Sequence, residues 1–492
     1  MASDFAKATP DKKAHRHKGR TLNAEVRISD NFVPSAYVPL SLPSLTQSEC
    51  LGAIASAYRG VPLDQDGIQS ALASAVFPDG TVRPVFDLVN PGESVCLVVS
   101  DHTRKTAADL ILPVLLKGLS ARGCSLKDMF ILFASGIHRH PTTAEVERIL
   151  GKDTAGEFAG RIYLHDADNQ RELVSVGKIR NGHDKTWPST AREKKLYSMV
   201  EGRALSRPQD LCNQFEHEVF LNRKAVAADR LVLIGAASFH YHAGFGGGRK
   251  SIVPGIAGRA TIAFTHGLTI DPVVDRLRPG VEIGALDGNP VSEAMFASAR
   301  LCPPDFIVNT VLAPDGNLAG VFAGEMDLAH RAACRLAEKI SRVDISRQAD
   351  FVIASAGSAS NWIQSHKAFY NAHRAVHEKG LVILEAKCPE GIGNERFRYW
   401  VKMRSASEIF DGLRQAPEVN GQTALSTRAR APRTVLVTQM SKADLADLGI
   451  RAVDALAGAI KIVMDDLSAA GIKKPCYYTM PDAMGVVPFL RK

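Results

Sequence analysis

The chain is expected to be an α/β protein of two domains with mainly parallel sheets flanked by helices, and three observations predict this. Apolar runs of strand length alternate with helical stretches from about residue 94 onward. Several of these runs are apolar at consecutive positions, as strands buried on both faces are. A length of 492 residues also exceeds what one ordinary core accommodates.

The strands expected are Val95–Ser100, Met129–Ala134, 231–235, Phe306–Leu312, 351–355, 381–386 and 434–438. Helices are expected over Thr143–Leu150, 327–340, 361–379 and 453–467. The first of these opens with a capping box, because Thr142 stands three residues before Glu145. The polar, weakly patterned segment 169–213 reads as an insertion. The stretch 415–433, polar with two prolines, reads as a surface loop. Turn residues at Gly288-Asn289-Pro290 and Cys302-Pro303-Pro304 mark a domain change, which divides the chain into a basic arm (1–30), an N-terminal domain (31–300) and a C-terminal domain (301–492).

Composition narrows the function classes. Hydrophobic residues at 45% and charged residues at 23% are those of a soluble globular protein. No apolar run is long enough to span a bilayer and no signal-like segment follows the start, so a cytoplasmic location is expected, away from membranes. The net charge is +8, of which residues 1–20 supply +4 through six Lys/Arg against Asp4 and Asp11. That arm reads as a solvated, disordered tail. The body shows no basic patch interleaved with aromatics, which disfavours nucleic acid as a partner. Eight cysteines without C-x-x-C spacing read as reduced thiols rather than disulfides or a thiolate zinc site.

Chemistry concentrates in three clusters, each just after an expected strand, where open α/β sheets place ligands. After Val95–Ser100 come Asp101-His102-Thr103-Arg104. Asp101 and Arg104 can orient ribose or phosphate oxygens there, or merely cap a helix. After Met129–Ala134 come Gly136-Ile137-His138-Arg139-His140, with His138 either an acid/base group or a surface loop residue. The third and densest is Phe239-His240-Tyr241-His242-Ala243-Gly244-Phe245-Gly246-Gly247-Gly248-Arg249-Lys250-Ser251, after 231–235. Glycines this close let backbone N–H groups turn toward an anion, and a Lys supplies a point charge or a nucleophilic amine. The run fails as a nucleotide P-loop, since Arg249 stands where the turn before Lys250 demands Gly. It fails as a dinucleotide loop too, because Gly244-Phe245-Gly246 is followed three residues later by Arg249.

Together these clusters resemble the nickel-dependent lactate racemase family, whose members use a nickel-pincer nucleotide. The matching residues are Asp101-x-x-Arg104, Gly136-Ile137-His138-Arg139, His240 with the Gly-rich loop ending in Lys250-Ser251, and His266 sixteen residues beyond Lys250. Gly288-Asn289-Pro290-Val291, Gln364-x-x-Lys367 and Cys388-Pro389-Glu390-Gly391-Ile392-Gly393 fit as well, so the likeness runs from about residue 90 to about 400. It implies that Lys250 is joined covalently to the cofactor's pyridinium ring through a thioamide, in a loop built by Gly246, Gly247 and Gly248. It implies that His266 ligates nickel and that His138 and His240 are the paired acid/base histidines. Asp101 and Arg104 are then contacts to cofactor or substrate, and Gln364 and Lys367 line the substrate pocket, Lys367 pairing with a carboxylate. The N-terminal domain would hold the cofactor and the C-terminal domain would close over the substrate.

The implied reaction is racemisation or epimerisation at C2 of a 2-hydroxy acid by proton-coupled hydride transfer, through a 2-keto acid. Residue chemistry agrees. The C2 hydrogen is a poor acid but leaves as hydride when a base takes the hydroxyl proton, and imidazoles suit that base, worth ~10²–10⁴-fold. Neutral imidazole at His266 is also a reasonable nickel ligand. One position departs from the family: Ile363 stands where its lactate racemases generally carry Tyr, which points to a 2-hydroxy acid other than lactate. Implied partners are the small-molecule substrate and the proteins that synthesise the cofactor; a homo-oligomer is left open. His140, His242 and His366 are expected to be structural. Two other classes compete. One is a metallohydrolase on His240-x-His242, which lacks a nearby carboxylate ligand and any H-E-x-x-H. The other is a non-enzymatic phosphate or nucleotide binder using the Gly-rich loop and Lys250 alone.

Overall fold

The computed structural model describes residue 45 and residues 48–180 and 216–491. The basic arm and most of the 169–213 segment lie outside them.

Consecutive apolar residues build the centre of the first sheet. Val95–Ser100 lies between Met129–Ala134 and Arg230–Ala236, parallel to both, with Leu97 beside Ile131 and Val232. The whole sheet has eight strands, in the order Val82–Arg83, Ala75–Val76, Leu318–Gly324, Phe306–Leu312, Arg230–Ala236, Val95–Ser100, Met129–Ala134, Ile162–Leu164. Leu97, Val99, Ile131 and Phe133 face a core with the helix Ala108–Ala121 on one side. Val98, Leu132 and Leu233 face another core on the opposite side. Burial on both faces is what their unbroken apolar pattern encodes.

The second sheet has six strands, all parallel, in the order Glu49–Ala53, Cys476–Met480, Ala349–Ser355, Val376–Glu385, Thr434–Val437, Arg451–Val453. Helix Trp362–Ala372 covers one face and Leu456–Ala469 the other. Both sheets belong to one compact unit.

Three sequence expectations are corrected here. The domain change expected near 300 is not where the sheets part. Phe306–Leu312 and Leu318–Gly324 complete the first sheet, and the chain enters the second only at Ala349–Ser355, while Glu49–Ala53 already belongs to the second. The prolines at 303 and 304 mark only the turn between a helix and its next strand. The helix expected over 361–379 stops at Ala372, and Val376–Glu385 is a ten-residue strand. The surface loop expected over 415–433 holds the helix Val419–Arg430, whose buried face is half polar: Gln422, Thr423 and Thr427 are buried beside Ala424 and Leu425. A helix without an apolar stripe leaves no periodic signal to read. Within the expected insertion, Leu173–Arg180 pairs antiparallel with Glu216–Asn222.

The seven cysteines among the described residues are all free. None of the described helices is long and apolar enough to cross a membrane.

Candidate functional site

Three loops leave the carboxyl ends of adjacent strands of the first sheet and carry the clustered residues. Asp101 follows Val95–Ser100 and is only 1% exposed. Its Oδ1 accepts from the Thr103 N–H at 3.0 Å and hydroxyl at 2.6 Å, and its Oδ2 lies 2.7 Å from His138 Nδ1. Burial pulls the Asp101 pKa up, but the bonds and charge of His138 and the bonds from Thr103 outweigh it and hold it below its ordinary value. A buried carboxylate acceptor fixes the His138 proton on Nδ1 and leaves Nε2 free, on a side chain 49% exposed.

His240 is arranged in the opposite sense. Its Nδ1 accepts the backbone N–H groups of His242 at 3.3 Å and Ala243 at 3.1 Å, so in the neutral ring the proton sits on Nε2. That atom lies 3.4 Å from Lys250 Nζ. Desolvation, then the charges of Lys250 and Arg104, press the His240 pKa well below its usual value. Desolvation, then Arg104 and Arg249, do the same for Lys250, which favours the uncharged, nucleophilic form of its amine.

His266 lies at the end of the helix Arg259–Gly267. Its Nδ1 donates to the Ile262 carbonyl at 2.8 Å, which leaves the Nε2 lone pair available to a metal. Burial, then Lys250, lower its pKa to about 4, so the ring is neutral. A cavity of about 290 Å³ opens beside it, lined by Ile137, Ile262 and Ala263, with Arg259 and Arg396 among its walls. Among the described residues no three His, Cys, Asp or Glu side chains converge to hold a metal ion, so a metal at His266 needs donors from a bound group.

The glycines play a different part from the anion cradle that the sequence led us to expect. The Gly246 N–H donates to the Ser238 carbonyl at 2.7 Å and the Gly248 N–H to Asn309 Oδ1 at 3.0 Å, so neither is free to turn toward an anion. What the loop needs is space and left-handed backbone. Gly247 has φ 78°, and a Cβ there would stand 2.7 Å from Asn309 Oδ1; on Gly248, at φ 54°, it would stand 2.8 Å from His330 Cγ. Beneath the loop Arg249, fully buried, donates to the Ala243 carbonyl and Ser292 and lies over the Phe296 ring, with His330 3.0 Å from Nη1. This clamp aims Lys250.

From the second sheet, helix Trp362–Ala372 presents Gln364 and Lys367. Desolvation, then Arg104, lower the Lys367 pKa to about 8, with Asp482 opposing. Arg104 is exposed, and its charge reaches His240, Lys250 and Lys367 alike, so the two sheets meet there. Gln364 is exposed, its Oε1 accepting from the Ser360 N–H at 3.1 Å. Ile363 packs where a Cβ on Gly393 would be 2.8 Å from its Cδ1. His140 Nε2 lies 3.1 Å from the His165 carbonyl, a structural contact. His242 and His366 are buried and neutral, and neither His366 nitrogen has a partner among the described residues.

Thr103, Arg249, His330 and Gln422 join the site without having been singled out for it. Thr103 lies one residue from Arg104 and Arg249 lies in the Gly-rich loop, so proximity was a signal for both. His330 and Gln422 had none.

Fold and site together define an α/β protein in which two mainly parallel sheets bring a carboxylate-backed imidazole, a second imidazole, a lysine of lowered pKa and a metal-competent histidine to one place. The chain is similar to the lactate racemase family: the family model described as the lactate racemase N-terminal domain matches residues 51–197 and 212–275. Lactate racemase of Thermoanaerobacterium thermosaccharolyticum is 28% identical over 71% of each chain, and that of Lactiplantibacillus plantarum 27% identical over 70% of each. The structure of the lactate racemase apoprotein from T. thermosaccharolyticum superposes with a TM-score of 0.71 at 25% identity, covering 90% of this chain and 95% of that one. A Thermotoga maritima protein shares the fold at a TM-score of 0.58 and 18% identity, over 88% of this chain and 100% of that one.

Proposed function

We propose that this protein is a racemase or epimerase acting at C2 of a 2-hydroxy acid other than lactate, with a nickel-pincer nucleotide joined to Lys250. The observation that carries the reading is the pairing of oppositely set imidazoles around Lys250: His138 offers a bare Nε2, His240 an Nε2–H. The residues fit the cofactor. Lys250 is an amine whose neutral form its surroundings favour, His266 has a free Nε2 lone pair, and the cavity beside His266 gives a bound group room. When bound, the cofactor supplies the acceptor for the C2 hydrogen as hydride.

The chain's residues do the rest. Lys367 and Arg104 hold the substrate carboxylate. His138 Nε2 takes the hydroxyl proton, and Asp101 stabilises the resulting imidazolium across the 2.7 Å bond. His240 serves the opposite face, donating at Nε2. To accept there it must carry its proton on Nδ1, against the two backbone N–H groups that face that atom. Ile363 replaces a phenol with an apolar wall and so favours a side chain other than the lactate methyl. The metallohydrolase alternative finds no ligand set among the described residues, and the phosphate-binding alternative finds two of its loop N–H groups already bonded.

The test is intact-protein mass spectrometry on material from cells that make the cofactor, with nickel quantified on the same sample. A covalent adduct mapped to Lys250 with about one nickel per chain is expected. An unmodified Lys250 refutes the proposal.

A further inference from the structure

The helix Val419–Arg430 turns its polar side toward the site. Gln422, 3% exposed, donates from Nε2 to the His266 backbone carbonyl at 2.7 Å. Its amide also meets the buried His242 ring. Thr423, next in sequence, stands beside the Tyr241 phenol, and Tyr241 stacks on His240 with ring centroids 5.2 Å apart. A buried amide that meets the His266 carbonyl at one end and the His242 ring at the other ties these two parts of the site together. The acceptor is the backbone of the residue whose imidazole is offered to a metal, a carbonyl at the helix end that also accepts the Thr269 N–H at 3.0 Å.

We propose that Gln422 is a positioning residue: from the second sheet's helices it fixes the last turn of Arg259–Gly267 and so the direction of His266 Nε2. This rests on the reading of His266 as the nickel ligand. Residues that orient a ligand from behind typically change metal affinity by ~10–100-fold when replaced. Gln422→Met keeps length and removes the amide; Gln422→Glu keeps an oxygen and removes the donor.

Two measurements test it, with thermal unfolding of the unloaded proteins as the folding control. In the cofactor-loaded protein, nickel release into excess chelator should be roughly 10-fold faster in both variants, with Lys250 modification unchanged. If Gln422→Met fails to fold, Gln422→Glu carries the test. Release within twofold of wild type in a folded variant overturns the proposal. In the unloaded protein, amide exchange at residues 267–270 should quicken in the variants, and unchanged exchange overturns it equally. If the wild type carries no nickel, the functional reading fails, while the exchange measurement still decides the role of Gln422 in holding the turn.

Discussion

Asp101→Asn isolates one atom's contribution. In the wild type Oδ1 takes two donors from Thr103 and Oδ2 takes the His138 Nδ1–H. An asparagine keeps its carbonyl oxygen toward Thr103, because two donors converge there, and this turns the amide NH₂ toward His138. Nδ1 must then accept, the proton moves to Nε2, and the ring can no longer take a proton where the substrate lies. Losing a charge-assisted hydrogen bond costs ~1.5–3 kcal/mol, about 10- to 150-fold in rate. Where the tautomer also reverses, the loss reaches ~10⁴-fold. The assay is interconversion of enantiomers of a 2-hydroxy acid that the wild type turns over, alongside nitrogen NMR of His138. The fall should appear in kcat, with the ring changing from Nδ1–H to Nε2–H. There is a linked stability signature. The Asp101 pKa is depressed in the fold, so its contribution is complete above the ordinary carboxylate pKa and fades as pH falls through the depressed value. The stability gap between wild type and variant should therefore close in acid. A variant within threefold of wild-type kcat, with Nδ1 still protonated, would refute the reasoning.

Other outcomes follow from the same geometry. Lys367, with a pKa of about 8, is charged at neutral pH and loses that charge as pH rises through this value. kcat/KM for a carboxylate substrate should fall by up to about tenfold per pH unit on the alkaline side, and Lys367→Met should abolish that limb; a flat wild-type profile contradicts the assignment. Gly247→Ala forces a Cβ to 2.7 Å from Asn309 Oδ1 at φ 78° and should cost at least ~1–3 kcal/mol, read as a lower thermal midpoint; an unchanged midpoint argues against the packing account. Ile363→Tyr puts a phenol at the wall of the proposed pocket and should raise turnover of lactate relative to the native substrate, measured by competition. No change in that ratio removes Ile363 from substrate selection.

The parts of this molecule legible from sequence are those whose physics is local. Val95–Ser100, Met129–Ala134 and Phe306–Leu312 appear at their expected bounds because burial on both faces writes an unbroken apolar run. Thr143–Leu150 was legible through Thr142 and Glu145, which bond each other's backbone as a capping box should. At the site, residue type and spacing marked His138, His240, Lys250 and His266. They did not show which nitrogen each imidazole leaves free, since that is set by Asp101, by two backbone amides and by the Ile262 carbonyl. Gln422 was invisible for a related reason. A polar residue buried across an interface looks, in sequence, like one in solvent, and only the packing of one sheet's helices against the other's loops distinguishes them.

The pairing of Glu49–Ala53 with Cys476–Met480 ties the beginning of the described chain to nearly its end. During synthesis this early strand must wait, unpaired, until almost all the polypeptide has emerged, while the first sheet can already close around Val95–Ser100. Two fragments divided at residue 300 would each inherit a deficit: the leading piece loses Phe306–Leu312 and Leu318–Gly324 from its sheet, and the trailing piece loses an edge strand. Dissection of this protein into separately folding halves therefore requires the leading segment to be grafted onto the trailing one, and a cut made after the helix Met326–Ser341 rather than before Phe306.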